Sequence, residues 1–334
     1  MKRAIFYLIL LLFGLFSPLS MAQIMTVNGP IEPEGMGKAL IHEHVMVDWI
    51  GADSTGYHRW DRDSVVQRVL PYLKALRQYG VDTFLDCTPA FLGRDPYVLK
   101  RLSDETGLQI VTNTGFYGAK DNIYIPDTAF KATAKELANQ WITEFERGID
   151  SSGIRPGFIK ISVDRDSILT DMHEKLIRAA ALAHLSSGMT IVSHTGPDAP
   201  ALAQIDILKK MGVSPEAFVW THAQSGTMGG YAKAAEQGAW ISLDNIGPAS
   251  ETIEWFVKTL SQLKARDLLD HVLLSHDAGW YDVGHPNGGD FRPYSALFTH
   301  LIPELRKIGF TQDEIDKLLV KNPRRAYAIR IKRR

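Results

Sequence analysis

Cysteine is almost absent from this chain: Cys87 is the only one among 334 residues. A single thiol excludes an intramolecular disulfide and leaves no thiolate set for a metal, so any metal chemistry here rests on histidine and carboxylate. An excess of one charge sign is missing too. The formal net charge is −1, which gives no electrostatic footprint for a nucleic-acid partner. The basic ending Arg330-Ile331-Lys332-Arg333-Arg334 reads as a solvated tail rather than a binding arm. Repeats, low-complexity segments and composition breaks are lacking, so nothing marks a second domain within residues 23–334. Long apolar runs are lacking except at the start. There Lys2 and Arg3 precede an apolar stretch over residues 4–15, followed by Ser20-Met21-Ala22. That is the pattern of a secretory signal over residues 1–22, too short in its apolar run for a comfortable permanent membrane anchor. Mature protein is expected from Gln23, exported to the periplasm or the medium, with no lipid anchor because no cysteine lies near the cut.

What remains is ordinary globular composition, 45% hydrophobic and 22% charged, enough for a large core. Short β-rich runs are expected over 39–42, 83–87, 109–112, 157–161, 190–194, 218–222, 240–244 and 272–277. Amphipathic stretches separate them, among them 63–78, 134–149, 171–185, 199–211, 227–236 and 251–264. Asp63, Asp171 and Ser250 read as N-caps, and Gly80, Gly188, Gly212 and Gly238 as C-terminal stops. Eight strands alternating with helices predict a parallel (β/α)8 TIM barrel, an α/β fold that often reaches this length as one domain.

The strand ends carry the chemistry. His42 and His44, two apart in LIHEH (40–44), face one side of a strand together. Lys160, His194, His222 and Asp277 fall at or near the ends of later strands, and in such a barrel the active site lies at those ends. Singly, each histidine reads as readily as a hydrogen-bonded core residue, and Lys160 as a buried ion-pair partner. Together, four imidazoles, a lysine and a carboxylate on strands one, four, five, six and eight describe a two-metal hydrolase. His58, His173, His184, His271, His276, His285 and His300 lack this support. His173 and His184 read as surface or packing residues, and alternation should turn His276 away from the site.

From about residue 27 to 327 the chain resembles the phosphotriesterase family of the amidohydrolase superfamily, including its lactonase branch. The likeness is carried by LIHEH (40–44), LGRD (92–95), TGFY (114–117), GFIKI (157–161), VSHT (192–195), Leu243-Asp244, LSHD (274–277) and Asn322-Pro323. The resemblance implies His42, His44 and Asp277 on a more buried metal, and His194 and His222 on a more exposed one. It implies Lys160 as a bridge, N-carboxylated by CO2. An unmodified ammonium has no lone pair and cannot ligate, whereas a carbamate offers two oxygens to ions ~3.5–4 Å apart. Two divalent cations are expected, zinc first, with manganese, cobalt and iron also accepted by such ligands. Asp277 is the expected catalytic residue, taking the proton of a metal-bridging hydroxide as it attacks.

The expected substrate is a lactone or similar carboxylic ester. Tyr117 and the segment 85–95 look lactonase-like, and Trp280, Asn245 and Arg292 complete the candidate substrate-binding set. Asn245 and Ser225 stand where phosphotriesterases carry a histidine and an acid. Tyr117 also reads as rim packing, and Arg292 as a tie for its own loop. The alternatives are an organophosphate hydrolase and, from another class, a non-catalytic metal barrel. A homodimer is the candidate assembly.

Overall fold

Eight short parallel strands close into a ring in the computed structural model, which describes residues 22–166 and 168–334. They are β1 (Ala39–Val47), β2 (Thr83–Asp86), β3 (Gln109–Val111, continued at Asn113–Thr114), β4 (Phe158–Ser162), β5 (Thr190–His194), β6 (Phe218–Thr221), β7 (Trp240–Leu243) and β8 (Val272–Leu274). Each pairs with the next in parallel. After β8 the chain returns as β9 (Gly279–Asp282), which pairs in parallel with β1 and sets Gly279 opposite His44. The architecture is the (β/α)8 barrel. Apart from Ala22, the signal expected over residues 1–22 lies outside the described residues. Among those described, no helix is long and apolar enough to cross a membrane.

The helices α1 (Arg62–Leu76), α2 (Pro96–Thr106), α3 (Asp127–Lys131), α4 (Ala134–Arg147), α5 (Asp171–Ser187), α6 (Asp198–Lys210), α7 (Met228–Glu236) and α8 (Ser250–Ala265) fill the connections. Their starts correct the expected caps by one or two residues. Asp61, not Asp63, accepts from the Ser64 N–H to cap α1. Thr170, not Asp171, forms a capping box with His173 on α5. Ala249 precedes α8 with no side-chain cap, so Ser250 is its first residue. Asp63 and Asp171 sit in first turns, where the helix dipole favours an acid. Gly80 and Gly188 end their segments in the left-handed conformation, as expected.

Strand alternation sorts the barrel interior into layers. Ile41, Leu85, Cys87, Val111, Phe158, Val192, Val219 and Leu273 form one buried apolar cluster in the lumen. Two residues further along their strands come Lys160 and His194, so the same inward-facing rows that are apolar below become polar at the C-terminal mouth. Burying each large member of the apolar layer contributes roughly 1.5–3 kcal/mol relative to exposure. On β1 the register to β2 shifts between Leu40 and Glu43. That bulge lets Ile41 belong to the lower layer while His42 and His44 join the upper one.

The C-terminal tail corrects the expectation of a solvated end. Lys332 is only 5% exposed. Its backbone N–H donates to His184 Nε2 at 2.9 Å, and its Nζ donates to the carbonyls of Glu216 and Ala326, both at 3.0 Å. Burial, reinforced by Arg330, pushes the Lys332 amine down to about 7. Between about pH 7 and the normal lysine range the unfolded chain therefore holds a proton that the folded chain lacks, and stability rises with pH there. We expect urea unfolding of Lys332→Met to lose this positive slope, which for one proton is at most about 1.4 kcal/mol per pH unit. An identical pH dependence in both proteins would show that the amine keeps its charge on folding.

Candidate metal centre

His42, His44 and Asp277 bring ligand atoms within 4.8 Å of one another. The His44 Nε2 lies 3.1 Å from Asp277 Oδ1, and the His42 Nε2 lies 3.9 Å from the same oxygen. Lys160 Nζ, buried at the middle of β4, is 3.3 Å from His42 Nε2. His194 and His222 complete the cluster, their rings T-shaped at 4.3 Å between centroids, with His222 packed 5.0 Å from His42. All six residues singled out at strand ends therefore meet at one mouth of the barrel. Period-two alternation from Val219 would send Thr221 to the lumen. His222 reaches it because its backbone turns left-handed, φ 56°.

The other ring nitrogens explain the orientation. Thr88 Oγ1 donates to the Met46 carbonyl at 2.8 Å, so it accepts from His44 Nδ1–H, also at 2.8 Å. Asp244, fully buried at the end of β7, accepts from His42 Nδ1 at 2.9 Å and His222 Nδ1 at 2.8 Å. Ser242 Oγ adds a third donor at 2.7 Å. One carboxylate thus fixes two imidazoles with Nδ1–H outward, leaving both Nε2 lone pairs to the cavity. Asp244 also groups with His42 and His222 as a candidate metal set. Those atoms are already joined by hydrogen bonds, so we read this triad as the support of the site.

Electrostatics agree for His42 and His194, whereas at His222 burial is outweighed by Asp244, which holds that ring above the usual imidazole range. Burial, then Lys160, pushes His42 down to about 4. Burial, then His222 and Lys160, holds His194 well below the usual imidazole range. Both rings are therefore neutral at pH 7, the form that can ligate. Burial opposes the ionisation of Asp244, yet His222 and His42 hold it well below the usual carboxylate range. Asp277 is held low in the same way by His44, His222 and His42. Its Oδ1 is buried with no hydrogen-bond partner among the described residues, which a cation between these nitrogens would satisfy. The donor set fits a metal.

The substrate-side candidates divide. The Tyr117 hydroxyl is 3.3 Å from both ring nitrogens of His194, so it rests on that imidazole rather than along one lone pair. Gly115 makes this loop possible: at φ 117° a Cβ there would collide with the Lys160 carbonyl. Trp280 packs on His44 with centroids 4.4 Å apart, and its Nε1 donates to the Asp277 carbonyl at 2.8 Å. Trp49, which the sequence does not single out, stacks on Trp280 at 5.2 Å, with Lys120 Nζ 4.5 Å above it. Arg292 is exposed, bonded to the Asp277 carbonyl and set over Trp280. It is a tie for its own loop. Asn245 is exposed and, among the described residues, makes no side-chain hydrogen bond to the cluster. His276 turns away from the site, as alternation required, with Nδ1 on Glu43 and Nε2 accepting from Leu297 N–H. His173 and His184 are buried packing residues.

Comparison with known proteins completes the description. The sequence model of the phosphotriesterase family matches residues 22–327. The phosphotriesterase homology protein of Escherichia coli is 30% identical over 289 residues, covering 86% of this chain and 96% of its own. The N-acetyltaurine hydrolase of Salmo salar is 24% identical, covering 91% and 97%. Among solved structures, the organophosphorus hydrolase of Deinococcus radiodurans superposes with a TM-score of 0.80 at 28% identity, over 92% of this chain and 97% of that one.

Proposed function

From the premise that this chain belongs to the phosphotriesterase family, we propose that it is a metal-dependent hydrolase of lactones or similar carboxylic esters. One observation carries the reading: three histidines have Nδ1 tied back, to Asp244 twice and to Thr88 once, around an Asp277 oxygen without a partner. We assign His42, His44 and Asp277 to one divalent ion, His194 and His222 to a second, and Lys160, as its carbamate, to the bridge. When bound, such ions acidify water and polarise a carbonyl oxygen.

The chain's own residues do the rest. Asp277, ionised at neutral pH, is the proton acceptor for attacking water, and by a small shift it hands the proton to the leaving alkoxide. In a lactone that alkoxide is tethered and poor, so it must be protonated or held by a metal as it leaves. Tyr117 and the Trp49–Trp280 stack give the acyl part an apolar, aromatic wall. Ser225 Oγ accepts from Arg165 Nη2 at 3.1 Å, and Ser225 and Asn245 together supply neither the acid nor the histidine of a phosphotriesterase relay. This favours the carboxylic ester over the phosphotriester. The second reading, an organophosphate hydrolase, draws on the activity named for the Deinococcus structure.

A panel of lactones, simple esters, N-acyl amides and an activated aryl phosphotriester, assayed on zinc-loaded protein, decides between them. We expect kcat/KM for the best lactone to exceed that for the phosphotriester by at least ~100-fold, about 2.7 kcal/mol of transition-state preference. The reverse order would favour the organophosphate reading, and a lactone panel without turnover would sink the first.

A further inference from the structure

Glu43 stands between the two histidines of the H-x-H pair, and alternation turns it away from the cavity that they face. It is fully buried, where an acid persists only if its oxygens are matched by donors. Four donors reach it, and all come from the short segment around Asp277. Ser275 Oγ donates to Oε1 at 2.7 Å, the His276 backbone N–H at 3.0 Å and His276 Nδ1–H at 2.7 Å. On the far side of Asp277, the Ala278 N–H donates to Oε2 at 3.0 Å. The two oxygens therefore bracket Asp277 from both flanks while leaving its side chain free.

The bracketed residue needs holding. Asp277 adopts a left-handed backbone, φ 51°, a region that costs a non-glycine residue free energy and persists only where its surroundings over-determine it. Backbone bonds to β1 accompany the bracket: Asp277 N–H to the His42 carbonyl at 3.0 Å, and His44 N–H to the Ala278 carbonyl at 2.9 Å. The hydroxyl of Ser275 also accepts from the His42 N–H at 3.0 Å. A second anchor lies behind His276, whose Nε2 accepts from the Leu297 N–H at 3.0 Å, at the start of the π-helix Leu297–Leu301.

We propose that Glu43 is a positioning residue that sets where the Asp277 carboxylate stands relative to His42 and His44, and so governs both metal retention and turnover. The proposal rests on the assignment of Asp277 as ligand and proton acceptor. Glu43→Gln tests it with little change in volume. The amide oxygen can keep the three donors at Oε1, but its NH2 then faces the Ala278 N–H, so the bracket opens on one side only. On full-length, zinc-loaded protein we expect kcat to fall about 10- to 100-fold with KM within about threefold of wild type. Zinc release to a chromophoric chelator should accelerate by at least about tenfold, a readout that needs no substrate.

Glu314→Gln, which breaks a pair with Lys264 at the C-terminal end of α8, is the control for lost stability alone: melting should drop while zinc release and kcat stay unchanged. If Glu43→Gln fails to fold, the His276 pair serves. His276→Asn keeps a donor near Nδ1 and should release zinc at close to the wild-type rate, whereas His276→Ala should release it faster. Wild-type zinc retention and kcat in Glu43→Gln, or equal release rates in the two His276 variants, would overturn the proposal. Wild-type protein that binds no zinc would instead overturn the metal assignment beneath it.

Discussion

Lys160→Ala is expected to cut turnover of the best substrate by at least about a thousandfold, some 4 kcal/mol. Bound metal should fall from about two equivalents to one or fewer, because the proposed bridge between the ions would be gone. The physical reason lies in the position of the amine. It is buried midway along β4, 3.3 Å from His42 Nε2, and a plain ammonium there would repel any cation that the histidines recruit. Only after conversion to a carbamate does the side chain become an anion with lone pairs. Alanine removes that bridge without adding an unpaired charge, so the barrel should still fold. Short carboxylic acids added to the variant should restore part of the activity by lying in the vacated space. Elemental analysis and rate are read together. Full activity with full metal in the plain alanine protein would mean that Lys160 is structural.

Asp244→Asn should cost about a thousandfold in kcat/KM, more than one orienting contact usually supplies. Loss of a single supporting hydrogen bond to a metal-bound histidine typically costs 10- to 100-fold, and here one carboxylate supports two. Asparagine can accept from one Nδ1–H only, while its NH2 confronts the other. One imidazole must then switch tautomer and point a proton at the cavity, or swing away. Zinc affinity measured by chelator competition should fall along with the rate. Unchanged zinc affinity in Asp244→Asn would show that the two rings are held by packing alone.

The sequence makes the ligands legible and leaves their supports hidden, for a reason that particular residues show. His42, His194 and Lys160 sit where apolar alternation runs into the mouth of the barrel, so pattern and chemistry coincide at one position. Asp244 is 202 residues from His42 and 22 from His222, and no local period joins them. It is visible beforehand only as an acid closing the seventh strand and as half of the Leu243-Asp244 match, with no role attached. Glu43 is masked differently: it lies inside the motif but on its other face. The bulge between Leu40 and Glu43 and the left-handed turn at His222 are backbone choices that composition does not encode. The N-caps slip because Asp61 and Asp63 both suit the start of a helix, and tertiary context selects the earlier one. At the tail, four basic residues in five signal solvent, and a buried cradle of carbonyls around Lys332 overrides that signal.

Cys87 gives the barrel a clock. The thiol is fully buried in the apolar layer beneath the candidate metal site, its Sγ 3.6 Å from the Ile41 carbonyl. No other cysteine competes for reagent. A thiol-reactive probe can modify it only after the strand ring has opened, so the modification rate is the opening rate multiplied by the chance of capture before reclosure. Every change at the mouth above it, whether an emptied ligand or a loosened bracket, can therefore be timed from inside the barrel without any substrate.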